Sequence, residues 1–125
     1  MDEFIPSNKM DYYTIEKLRK LPYNEIEPII NQLLEWVEDI NWPIAKEICQ
    51  ILIPLDLKLV PSLKKIVGGK DEVWADNCIR YIVKWLSEEA IRELSPELER
   101  IAFYPSEDEL ELELNIFVLQ LLRSL

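Results

Sequence analysis

Asp39, Asn41 and Trp42 lie within four residues of one another, in the stretch Asp39-Ile40-Asn41-Trp42-Pro43-Ile44-Ala45. Trp36 precedes Asp39 by three positions, and a second stretch, Asp71-Glu72-Val73-Trp74-Ala75, echoes the pattern 32 residues after the first. A carboxylate of this kind is the natural candidate for general acid or base work, and an indole for anchoring a ligand or partner. The rest of the chain withholds the usual helpers. It has no histidine, which excludes Ser-His, Cys-His and His-metal catalysis. Its two glycines are adjacent, at 68 and 69, so there is no phosphate-cradling loop or dinucleotide fingerprint. Cys49 and Cys78 are 29 residues apart and form no recognisable metal site. The sequence therefore leads us to expect a non-enzymatic protein without cofactor or metal. Trp36, Asp39, Asn41, Trp42 and Trp74 are its candidate interaction residues. The plainer role of the same residues is architectural: Asp39 and Asn41 as helix caps, the tryptophans as packing between helices.

The elements that position this joint read as helices. Few glycines and many Leu, Ile, Glu and Lys residues suit helices better than sheets and tight hairpins. Asp11 caps a helix over about 12–21, ended by Pro22. Asn24 caps the next, whose stripe Ile26, Ile29, Ile30, Leu33, Leu34 and Val37 has helical spacing. Pro43 opens a helix carrying Ala45, Ile48, Cys49 and Leu52, which Pro54 stops. Asp56 opens one over about 57–67, and Asp71 caps one reaching about Leu86. Ser87 starts a short helix, and Ser95-Pro96-Glu97 another that runs to about Phe103. Ser106 and Glu109 form a capping box for a last helix over about 107–123. In that helix Leu110, Leu114, Phe117, Val118, Leu121 and Leu122 share a face. The alternation Leu110, Leu112, Leu114 has strand period, and it leaves Leu112 off the face.

These elements predict an all-α fold of roughly seven helices, a short stack of about three helical hairpins resembling HEAT or armadillo repeats. Residues 1–10 read as a loose lead-in and 11–125 as a single helical-repeat domain. A compact irregular bundle is the alternative arrangement. The 32-residue spacing of the two Asp-x-x-Trp motifs has the period of a helical hairpin. Trp42 and Trp74 would then wedge between hairpins.

Charge narrows the partner. The chain carries a net −10, and residues 88–113 hold ten acids against Arg92 and Arg100, a net −8. That argues against nucleic acid and anionic membranes, which select basic surfaces, and favours a basic protein partner. The plain counterpart is a solvated helix face that maintains solubility. No apolar run is long enough to span a bilayer, and Asp2 and Glu3 replace the basic and apolar regions of a signal peptide. Two unpaired cysteines on apolar faces suit the cytoplasm.

The block Leu33-Leu34-Glu35-Trp36-Val37-Glu38-Asp39-Ile40-Asn41-Trp42-Pro43-Ile44-Ala45 resembles the signature of a family of small bacterial proteins of unknown function, Leu-Leu-x-Trp-x-x-Asp-x-Asn-Trp-Pro-x-Ala. Asp71 to Trp74 and Pro105 to Glu109 resemble the family's later motifs, and the likeness extends from about Asp11 to Leu122. The resemblance implies an all-helical, HEAT-like fold, no assigned substrate, and a block from Trp36 to Pro43 that matters to the family. The functional expectation is a protein-interaction module, in its most concrete form an acidic immunity-type protein that binds a basic partner. The alternative is a regulatory domain that holds a small molecule in a pocket lined by Trp42 and Trp74.

Overall fold

A computed structural model describes residues 2–125, and every regular element among them is helical. The all-α expectation holds, with about the expected number of helices. Helix α1, Tyr12–Arg19, begins where the Asp11 carboxylate accepts the Thr14 amide at 3.1 Å. The same carboxylate accepts the Ser7 amide and the Thr14 hydroxyl, so it also ties down the chain in front of it. The segment expected as a loose lead-in carries a 3-10 turn, Asp2–Phe4. Phe4 and Ile5 pack on the core, Pro6 is buried, and the Lys9 carbonyl accepts the Ile44 amide. Met1 lies outside the described residues.

The next stripe forms a segmented helix. Helix α2, Tyr23–Ile26, starts from Pro22 with no side-chain cap, so Asn24 does not play the capping part expected of it. A 3-10 turn, Glu27–Ile29, separates it from α3, Ile30–Leu34, and a second, Glu35–Val37, closes the run. Pro28 lies in the first of these turns, where its missing N–H breaks the regular ladder. All six apolar positions of the stripe are nevertheless buried, because 3-10 turns keep the same face inward.

Helix α4, Ala45–Leu52, begins two residues after Pro43, and Ile44 precedes it without a side-chain cap. A 3-10 stretch, Ile53–Leu59, carries a kink at Asp56, whose φ of 48° is rarely adopted by a residue with a side chain. Asp56 does not open a helix as expected. Helix α5, Val60–Val67, starts later with Pro61 in its first turn. Helix α6, Glu72–Tyr81, is capped by Asp71 through the Trp74 amide and ends before Leu86, giving way to a 3-10 turn, Val83–Trp85. Helix α7, Glu88–Glu93, is capped by Ser87, while α8, Ser95–Phe103, takes Leu94 and not Ser95 as its boundary.

The last helix is two helices. The capping box at Ser106 and Glu109 starts α9, Glu107–Glu111, and the left-handed residue Glu113 separates it from α10, Leu114–Arg123. This break resolves the strand-like alternation. Leu110 turns outward, against the inward position expected of it. Leu112 packs at the core edge and Leu114 is fully buried. Arg80 donates to the Leu112 carbonyl at 2.9 Å, satisfying one acceptor that the end of α9 leaves open.

Helices α3 and α4, α5 and α6, and α8 and α10 pack against one another. Helix α1 lies on α4, and α5 touches α8, so one apolar core runs through all the pairs.

Candidate functional site

The Asp39 joint is held by both local and distant bonds. Its Oδ1 accepts the Asn41 amide at 2.9 Å, and its carbonyl accepts the Trp42 amide at 3.1 Å. Asp39 and Asn41 stay exposed. Trp36 and Trp42 are half-buried and meet edge to face, with ring centroids 5.5 Å apart and planes at 65°. That arrangement satisfies the ring quadrupoles and closes the turn.

The end of the preceding helix is completed from α6. The Asn77 Nδ2 donates to the Val37 and Glu38 carbonyls at 2.9 and 3.2 Å, and the Trp74 Nε1 donates to the Leu34 carbonyl at 3.0 Å. The Val37 and Glu38 carbonyls lie at the end of the Glu35–Val37 turn, so Asn77 acts as its C-cap, while Trp74 ties the start of the same turn to α6. Asn77 is buried and was not singled out from the sequence. Its one sequence signal is an amide beside the apolar positions Ala75, Cys78 and Ile79.

Trp42 and Trp74 do not share a pocket, contrary to expectation. Trp42 meets Trp36 edge to face, whereas Trp74 lines a separate cleft of about 400 Å³ with Asn31, Glu35, Ser62, Lys65 and Lys70. The two Asp-x-x-Trp motifs thus serve different ends. In the second, Asp71 caps a helix that starts at once. In the first, Asp39 shapes a turn that runs five residues further before α4.

The acidic character gathers in a groove that the one-dimensional charge count does not show. The start of α6 contributes Asp71, Glu72 and Val73, and α9 with its C-terminal neighbour contributes Asp108, Glu111 and Leu112, around about 460 Å³. Val73 is exposed and Leu112 half-buried, so the groove has apolar patches between carboxylates. Glu89, Glu93, Glu99, Glu107, Asp108, Glu111 and Glu113 are exposed, and none forms an ion pair among the described residues.

Glu109 is withdrawn from this surface. It is buried and takes a two-pronged bond from Arg100, Nη1 to Oε1 at 2.9 Å and Nη2 to Oε2 at 2.5 Å. Burial alone would raise its carboxyl, but the Arg100 hydrogen bonds and the Ser106 amide outweigh this and hold it below the usual range. Glu97 lies half-buried beside Lys64.

On another part of α6 the charge reverses. Arg80 stacks on Phe117, and Lys84 sits over both Trp85 and Phe117 at 5.0 and 5.7 Å from the ring centroids. Trp85 is 62% exposed, the most open of the four tryptophans. Cys49 and Cys78 are buried free thiols; burial pushes Cys49 up to about 12 and Cys78 further. Among the described residues no group of three or more His, Cys, Asp or Glu side chains is placed to hold a metal ion. None of their helices is long and apolar enough to cross a membrane.

These features define an all-helical domain of paired short helices with charged surface clefts. Residues 4–122 match the family described as "Domain of unknown function (DUF5071)", and the chain belongs to that family. Among curated proteins, none matches it.

Proposed function

We propose that the chain is a HEAT-like, non-enzymatic interaction module of the cytoplasm. Its acidic face binds a basic protein, in the manner of an immunity protein that covers a toxin. The groove between α6 and α9 carries this reading. Four carboxylates from two distant segments, Asp71, Glu72, Asp108 and Glu111, flank Val73 and Leu112. A lysine or arginine can lay its methylene stem over such an apolar strip and carry its charge to the carboxylates. The unpaired acids of α7 to α9 extend the negative potential around the groove, which would steer a basic partner toward it. Asp39 and Asn41 belong to a structured turn, and the edge they form is a secondary contact surface.

Charge reversal tests this directly. The immobilised protein and its Asp108→Lys/Glu111→Lys variant are exposed to lysate at about 50 mM and about 300 mM salt, which shortens the screening length about 2.4-fold. Basic proteins should be retained by the wild type at low salt, released at high salt, and not retained by the variant. Retention of the same proteins by both forms, or of acidic proteins insensitive to salt, sinks the reading.

A further inference from the structure

The Trp74 cleft meets the acidic groove at Asp71 but has a different chemistry. It lies between α3 and the turn joining α5 to α6, with Ile66 and Trp74 among its lining residues. The indole is held in place at both ends of its residue: Nε1 donates to the Leu34 carbonyl, and the backbone amide donates to Asp71. A ring fixed by its own hydrogen bonds is a preorganised apolar wall, and a ligand does not have to order it. The Ser62 hydroxyl donates to Asn31 Oδ1 at 2.5 Å, which leaves the Asn31 Nδ2 hydrogens for another acceptor.

Around this wall stand Glu35 and Asp71, and Lys65 and Lys70. None of the four forms an ion pair among the described residues. Asp71 spends Oδ1 on the Trp74 amide, and its Oδ2 accepts no hydrogen bond among the described residues. Two carboxylates and two ammonium groups sum to no net charge. A singly charged ligand would gain from one pair and lose against the other, whereas a ligand bearing both signs gains from both. The volume, about 400 Å³, falls in the range of small-molecule sites.

We propose that this cleft binds a free amino acid with an apolar side chain. Its ammonium group meets Glu35 and Asp71, its carboxylate meets Lys65, Lys70 and the Asn31 amide, and its side chain lies on Trp74 and Ile66. The cleft shares Asp71 with the acidic groove; the groove is tested at Asp108 and Glu111 and the cleft at Glu35, Lys65 and Lys70, so either can fail without the other.

L-phenylalanine is the probe, with N-acetyl-L-phenylalanine and L-phenylalaninamide as controls that each lack one charge. Binding is followed on the Trp74 indole N–H resonance of the full-length protein, with Trp74→Phe used only to assign it. L-phenylalanine should shift that resonance saturably, and each control should bind about two- to fivefold more weakly, the factor an exposed ion pair supplies. Glu35→Gln should shrink the penalty of the N-acetyl control alone. Lys65→Gln/Lys70→Gln should shrink that of the amide control alone. Absence of a saturable shift, equal affinity for the three compounds, or penalties unchanged in the variants would each overturn the proposal.

Discussion

Asn77 does more for the architecture of the joint than any residue within it. One amide nitrogen bonds two carbonyls at the end of the Glu35–Val37 turn, from a buried position. Replacing Asn77 with Leu keeps the number of side-chain heavy atoms and removes the donor, so the Val37 carbonyl loses its partner. The expected cost is about 1–3 kcal/mol, the penalty for leaving such a buried polar group unmet. Urea denaturation checks it, and a variant as stable as the wild type would refute the capping role. Trp74 bonds the Leu34 carbonyl at the start of the same turn, which is why its plain role in packing and its candidate role in binding coexist. The sequence marks Trp74 by type and spacing. It marks Asn77 hardly at all, since an amide among apolar residues announces a need for a partner without saying which.

Elements here are joined by strained or proline-bearing kinks more than by glycine turns. Asp56 is the sharpest case. Its φ is 48° and its ψ −109°, a region that costs a side-chain-bearing residue about 1–3 kcal/mol. The carboxylate is held by Ser87, which donates its amide at 2.8 Å and its hydroxyl at 2.6 Å from 31 residues away. The kink between α4 and α5 is thereby locked to the start of α7. Asp56→Ala loses both bonds and keeps the strain; Asp56→Gly loses both bonds and relieves it. The alanine variant should therefore be the less stable by about 1 kcal/mol or more. Thermal melts of the pair decide this, and equal or reversed stabilities would show that the backbone is not strained at this residue. Sequence patterning identified a polar break at Asp56 and read it as a helix cap. The error has a physical cause: caps and kinks recruit the same short acidic side chain, and only the position of Ser87 separates them. The break at Glu113 was missed for a related reason, because Leu and Glu favour a continuous helix while the packing of Leu112 does not.

At the scale of the whole molecule, pH should act on stability from two sides. Ser7 and Thr14 hold Asp11 down to about 2, and Arg100 holds Glu109 below its ordinary range against the effect of burial. Carboxyls lowered by folding contribute fully above the ordinary carboxylate range and lose that contribution as pH falls toward the folded values. Cys49 and Cys78 are shifted the other way by burial. Their contribution is complete below the ordinary thiol value of 9.0 and is lost as pH rises through about 12 for Cys49, and higher still for Cys78. Denaturation midpoints should thus hold a plateau between the two ranges and fall on both sides. The Cys49→Ala/Cys78→Ala variant should show a shallower alkaline fall than the wild type; an identical slope would mean the thiols are not buried as described. The sequence by itself determined the helical class, the helix caps at Asp11, Asp71, Ser87 and Ser106, most of the buried stripes and the absence of histidine chemistry. These follow from caps and from the 3.6-residue period, which are properties of neighbours along the chain. Only the tertiary structure decided that Asp71 and Glu72 face Asp108 and Glu111, that Trp42 and Trp74 part company, and that Asn77 completes the joint. The bonds from Trp74 and Asn77 join residues 40 apart, and no local preference specifies which of many amphipathic faces will meet.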